Sequence, residues 1–131
     1  MTSESDAHDH PVDAERVAVA RSQLIDAAEA ARLAGLLGLL SDPTRTRILF
    51  ALNAVAELCV GDLALVLGVS EDAIGYGLRM LRTARLVSFR KEGRVVFYRL
   101  ADGFPHRLLE HCLLQLLSIA DPGAMSEEVE P

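Results

Sequence analysis

Residues 60–100 read VGDLALVLGVSEDAIGYGLRMLRTARLVSFRKEGRVVFYRL, and this stretch decides the fold. Val60 to Leu67 is a short apolar helix ended by Gly68. Gly68-Val69-Ser70 is a tight turn. Ser70 suits a helix N-cap, and Glu71 and Asp72 suit the positive end of a helix dipole. The second helix is predicted to run to about Ala84, which makes a helix-turn-helix. Leu86–Arg90 and Val95–Leu100 then flank Lys91-Glu92-Gly93-Arg94. Val87 and Phe89 alternate on the first strand, and Val96, Tyr98 and Leu100 on the second. Gly93 suits the positive φ of a hairpin turn. A helix-turn-helix followed by a two-stranded hairpin is a winged helix.

Working upstream, Thr44 to about Asn53 is a short helix with Ile48, Leu49 and Leu52 inward. Pro43 fits its first turn and Asp42 its cap. Asp13 to about Leu40 is rich in Ala and Leu and is predicted to be helical in two pieces. Leu33, Leu36, Leu37 and Leu40 recur at spacings of three and four, marking a stripe expected to be buried. Downstream, Pro105 to about Ile119 is an apolar helix carrying Leu108, Leu109, Cys112, Leu113, Leu116 and Leu117. That stripe is wider than a small domain needs, so the helix is expected to meet a second copy. The predicted fold is mainly α with a small β-hairpin: a winged helix-turn-helix, dimeric through its N- and C-terminal helices. Residues 1–12 read as a flexible arm, 13–120 as the DNA-binding and dimerisation domain, and 121–131 as an acidic tail.

At 131 residues the chain suits one core, and half its residues are hydrophobic. No stretch reaches the roughly 18–20 uninterrupted apolar residues of a membrane helix. Met1 to Pro11, with Glu4, Asp6 and Asp9, does not read as a secretory signal. The expected location is the cytoplasm, with Cys59 and Cys112 as reduced thiols. The net charge of −6 argues against nucleic acid only superficially. Eight basic side chains against four acidic ones make Ser70–Arg107 +4, which leaves −10 elsewhere. A polyanion responds to the local patch, because salt screens charge beyond roughly 8–10 Å.

In a winged helix the second helix enters the major groove and its early residues meet base edges. Ser70 and Gly75 lie early on that helix. Tyr76, Arg79 and Arg82, at spacings of three, share one face. Arg79 or Arg82 suits guanine or phosphate, and Lys91 and Arg94 at the hairpin suit phosphate. The expected partner is double-stranded operator DNA. A solvated charged face is the bland alternative.

Several strings now carry a resemblance. Ser41-Asp42-Pro43-Thr44-Arg45 leads into Arg47-Ile48-Leu49. Glu57-Leu58-Cys59-Val60-Gly61-Asp62-Leu63-Ala64 follows, then Leu78-Arg79-Met80-Leu81-Arg82, then Gly93-Arg94 before Tyr98. In order and spacing, over roughly Ala31 to Leu117, the chain resembles the ArsR/SmtB family of metal-sensing repressors. One departure is Gly75-Tyr76-Gly77, where the family commonly places Ser and a polar residue. Two glycines weaken a helix by roughly 2 kcal/mol relative to Ala. Either packing compensates, or DNA orders the helix or a different operator is read, or DNA binding is lost.

The resemblance also implies a metal site. Cys59 sits where the family's zinc, cadmium or lead sensors place a ligand, and Asp62 is three residues on. The remaining ligands come, in the family, from the N-terminal arm, which here offers His8 and His10 but no cysteine. Thiolate, imidazole and carboxylate suit zinc or cadmium. A buried hydrophobic role for Cys59 and a solvated arm are the alternatives. Of the family's terminal-helix zinc site only Asp102 survives, so that site is expected to be absent as usually built. His106, Glu110, His111 and Cys112 are weaker candidates: His106 and Glu110 are four apart, whereas His106 and His111 are about 140° apart around a helix.

Nothing in the sequence suggests catalysis. The reading is a metal-responsive dimeric repressor that releases operator DNA on binding zinc or cadmium, freeing metal efflux or handling genes. The alternatives are a winged-helix regulator sensing thiol oxidation or an organic ligand, and a winged-helix protein-interaction module.

Overall fold

The computed structural model describes residues 10–120. His8 and the tail 121–131 therefore lie outside the described residues. The chain divides into two compact units, 1–35 and 36–131.

In the first unit, α1 spans Ala14–Ser22 and is capped by Asp13, whose carboxylate accepts from the Arg16 N–H at 3.0 Å. Asp26 does the same for Glu29 at the start of α2, Ala27–Leu39, which runs past the unit boundary. Neither helix buries a residue. Leu33, Leu36 and Leu37, expected to be buried, are exposed (48%, 41% and 49%), and only Leu40 is half-buried. The stripe exists, but the described residues leave most of it exposed.

The second unit is built as predicted, with differences at its edges. Helix α3, Pro43–Ala54, starts with Pro43 in its first turn, and the Asp42 carboxylate accepts from the Arg45 N–H at 3.0 Å. Ile48, Leu49 and Leu52 point inward. Leu58–Cys59 then forms a short strand, β1, before α4, Val60–Leu67, which ends at Gly68. The Ser70 hydroxyl caps α5, Glu71–Thr83, accepting from the Ala73 N–H at 3.1 Å. Ile74, Leu78 and Leu81 of α5 meet Ile48, Leu49, Leu63 and Leu109 in one core. Completely burying a side chain of that size contributes roughly 1.5–3 kcal/mol, so these residues fix how α5 is seated.

Strands β2, Val87–Glu92, and β3, Val95–Leu100, form the hairpin. Pairing runs out to Glu92↔Val95, so the turn is only Gly93-Arg94. Gly93, at φ 64°, supplies the left-handed first position of a tight two-residue loop. The expected four-residue turn is thus shorter, and Lys91 sits within β2 opposite Val96. The hairpin is also wider than two strands, because β1 adds to β3 in the order β1-β3-β2.

The C-terminal segment departs from a plain α-helix. Leu108–Leu113 is a π-helical turn and α6 covers Leu114–Ala120. A π-turn holds more residues than an α-turn, so the apolar stripe slips in phase. Leu109 is buried and Leu113 packs on the core, but Cys112, expected on the apolar stripe, is exposed.

Candidate nucleic-acid interface

Helix α5 has two faces. Ile74, Gly77, Leu78 and Leu81 are buried, while Tyr76, Arg79 and Arg82 are exposed. The Arg79 guanidinium lies 5.8 Å from the Tyr76 ring centre. The Arg82 guanidinium lies 4.5 Å over the ring of Phe89 on β2. Phe89 is braced by Tyr98, ring to ring at 5.8 Å. Arg82 therefore spans from helix to hairpin, and both elements carry exposed basic side chains.

The remaining DNA candidates fall on the same two elements. Ser70 uses its oxygen as the cap acceptor, leaving its O–H free to donate. Lys91 and Arg94 are exposed on the hairpin, Arg94 at the tip. The two glycines separate. A Cβ at Gly75 would meet nothing within 4 Å, whereas one at Gly77 would lie 3.0 Å from Ile48 Cδ1. Gly77 is needed for close packing of α5 on α3, and Gly75 belongs to the open side.

Two arginines of the basic segment are already engaged. Arg90 donates from Nε to both Glu57 carboxylate oxygens at 3.1 Å, from Nη2 to Glu57 Oε1, and from Nη1 to Glu92 at 2.8 Å. These hydrogen bonds hold the Glu57 carboxyl below its usual range and raise Arg90 further above its own. Arg99 donates to Ser88 Oγ at 3.1 Å and lies 3.9 Å from Asp102. Sequence reasoning missed the Glu57 pairing: the partners are 33 residues apart and nothing local announces it.

The metal candidates fall on several elements. Half-buried Cys59 is the N-cap residue of α4, and its side chain makes no capping hydrogen bond, so the sulfur is not used by the helix. Asp62 is exposed in the first turn of the same helix. This thiol and carboxylate suit a zinc- or cadmium-type ion, but they are two donors where a tetrahedral site takes four. His10 is exposed in the other unit. Asp102 is solvent-exposed beside Arg99. His106 Nδ1 donates to Asn53 Oδ1, and Asn53 Nδ2 donates to Glu110 at 2.9 Å, so that pair is bridged by an amide. His111 lies 3.8 Å from Glu110, and Cys112 is exposed. Among the described residues no group of three or more His, Cys, Asp or Glu side chains is placed to hold a metal ion.

Residues 42–88 match the family described as bacterial regulatory protein, arsR family. The chain is 43% identical over 88 residues to the transcriptional repressor SmtB homolog of Synechocystis sp., covering 67% of this chain and 66% of that one. The chain belongs to the ArsR family. To the cadmium resistance transcriptional regulatory protein CadC homolog of Staphylococcus aureus it is 36% identical over 84 residues, covering 64% and 69%. Among solved structures, the AntR antimony-specific transcriptional repressor superposes with a TM-score of 0.63 at 35% identity, covering 74% of this chain and 85% of that one. The curated matches span about two thirds of those relatives' own lengths. Winged-helix architecture and membership in a family of transcriptional regulators, not enzymes, thus agree with the surface made by α5 and the hairpin.

Proposed function

We propose that this ArsR-family chain is a cytoplasmic repressor that binds operator DNA as a homodimer and releases it when a zinc- or cadmium-type divalent ion is bound. The observation that carries the DNA half is Arg82 over Phe89, which joins helix and wing in one basic surface. On this reading α5 enters the major groove, Arg79 and Arg82 meet bases or phosphate, and Lys91 and Arg94 hold the backbone. Gly75 leaves room for the backbone or a base edge to approach.

The dimer half is supported by apolar surface that one chain leaves uncovered. Leu114, Leu116 and Leu117 are exposed (48%, 57% and 65%), as are Leu36 and Leu37. Two recognition helices would then read half-sites about 34–36 Å apart, so a small change in dimer geometry breaks simultaneous contact.

The sensing half rests on Cys59 and Asp62, with His8 and His10 as the further ligands. A bound ion would supply positive charge and a fixed ligand geometry at the end of β1. Relatives named for metal resistance or metal-specific repression support this assignment. The genes released would serve metal efflux or handling.

The test is titration of zinc and of cadmium into the protein–DNA complex. Wild type should lose DNA affinity by roughly 5- to 150-fold on adding metal, the usual range for allosteric coupling, and Cys59→Ser should lose most of that metal response. Equal behaviour of the two proteins removes the sensing role.

A further inference from the structure

The β1-β3-β2 sheet has two faces with different occupants. Cross-strand partners share a face, and residues two apart on a strand share one too. Leu58, Tyr98 and Phe89 form one row, with Arg82 of α5 lying on Phe89. Cys59, Phe97 and Arg90 form the neighbouring row, on the opposite face. Arg90 therefore points away from the side that α5 occupies. Its guanidinium edge is filled by Glu57 and Glu92, and its face lies 4.8 Å over the Phe97 ring.

We infer that Arg90 is a positioning residue for the DNA-reading wing and not a DNA contact: it locks β2 to the segment that leads into β1. Three observations converge. The side chain lies on the face away from the recognition helix. Its charge is offset by two carboxylates. Its planar fork is held by three atoms of Glu57 and Glu92, a geometry that a flexible ammonium does not reproduce. Isolated surface ion pairs contribute little, but a bidentate pair extended into a network and stacked on a ring is the exception. The wing has no other ion pair to the segment before β1 among the described residues. Removing this one loosens the outer half of β2 from the segment that leads into β1, and with it the aim of the wing tip. The inference rests on the proposed DNA-binding role and assigns a residue within it.

The experiment measures affinity for a DNA duplex over a series of salt concentrations. The proteins are wild type, Arg90→Gln, Arg90→Lys, Glu57→Gln and Arg94→Gln, each first checked for a native circular-dichroism melt. Both Arg90 variants and Glu57→Gln should bind several-fold more weakly with an unchanged log–log salt slope, whereas Arg94→Gln should lower the slope by about 1. Arg90→Lys discriminates sharply, because a phosphate contact would tolerate it and a fork clamp does not. A slope lowered by about 1 in Arg90→Gln overturns the inference alone. Tighter binding by Glu57→Gln also does so, since it would mean the carboxylate was withholding a DNA-binding arginine. A wild type with no salt dependence overturns the DNA-binding reading itself.

Discussion

Gly77 and Ile48 meet so closely that a Cβ on the glycine would stand 3.0 Å from the isoleucine Cδ1. This contact seats the recognition helix on α3 and explains one of the two glycines that break the helix's propensity. The other, Gly75, has open space around it. Gly75→Ala should therefore stabilise the fold by about 0.5–1 kcal/mol through helix propensity. Gly77→Ala should instead destabilise it by about 1–2 kcal/mol through overpacking. Ile48→Val deletes the clashing Cδ1, so the double variant should lose less than the two single losses combined. Urea unfolding of wild type and these four variants checks this, and equal effects at the two glycines would contradict it.

Helix α5 ends with Arg85 in the left-handed region at φ 66°, where the Arg85 N–H donates to Arg82 O and the Leu86 N–H to Leu81 O. This is the paired hydrogen-bond pattern of a Schellman cap, which favours glycine at that position. Arg85→Gly should raise stability by about 0.5–1 kcal/mol, read as a higher urea midpoint at constant slope. A lower midpoint would show that the arginine side chain offsets its backbone strain.

Phe89 holds Arg82 by its ring face. Phe89→Leu keeps apolar bulk and removes the π-system, which is worth about 0.5–1 kcal/mol at an exposed site. DNA affinity should fall about 2- to 5-fold with net charge unchanged. Binding equal to wild type would mean that Arg82 does not depend on the stack.

Leu117 lies 65% exposed on α6 and lines an apolar groove of about 260 Å³ with Leu37, Leu40, Phe50 and Leu113. If the proposed dimer forms through this groove, Leu117→Glu should shift sedimentation to monomer and weaken operator binding, leaving the helical content unchanged. A dimer that survives this change would place the association surface elsewhere.

Much of this architecture can be read locally. Asp42, Pro43 and Ser70 mark helix starts, Gly68 an end and Gly93 a hairpin turn, because caps and tight turns depend on adjacent residues alone. Features that need distant partners are silent in sequence. Strand β1 is two residues long and exists only because β3 pairs with it. Arg90 reads as one more basic residue until Glu57 is beside it. Gly75 and Gly77 look equivalent until α3 lies under only one of them. The leucines of α2 announce a stripe, but not that Leu33, Leu36 and Leu37 stay exposed. The π-turn at Leu108–Leu113 shifts Cys112 outward, which no α-helical period anticipates.

The central claim is that α5 and the wing form one DNA-binding surface, and the slope of log affinity against log salt tests it most directly. Wild type should show a slope of several. Replacing Arg79, Arg82, Lys91 and Arg94 together by Gln should reduce its magnitude by about 3–4, at roughly 0.9 per lost phosphate contact. A wild-type slope near zero, or one that the fourfold replacement leaves intact, would contradict the claim.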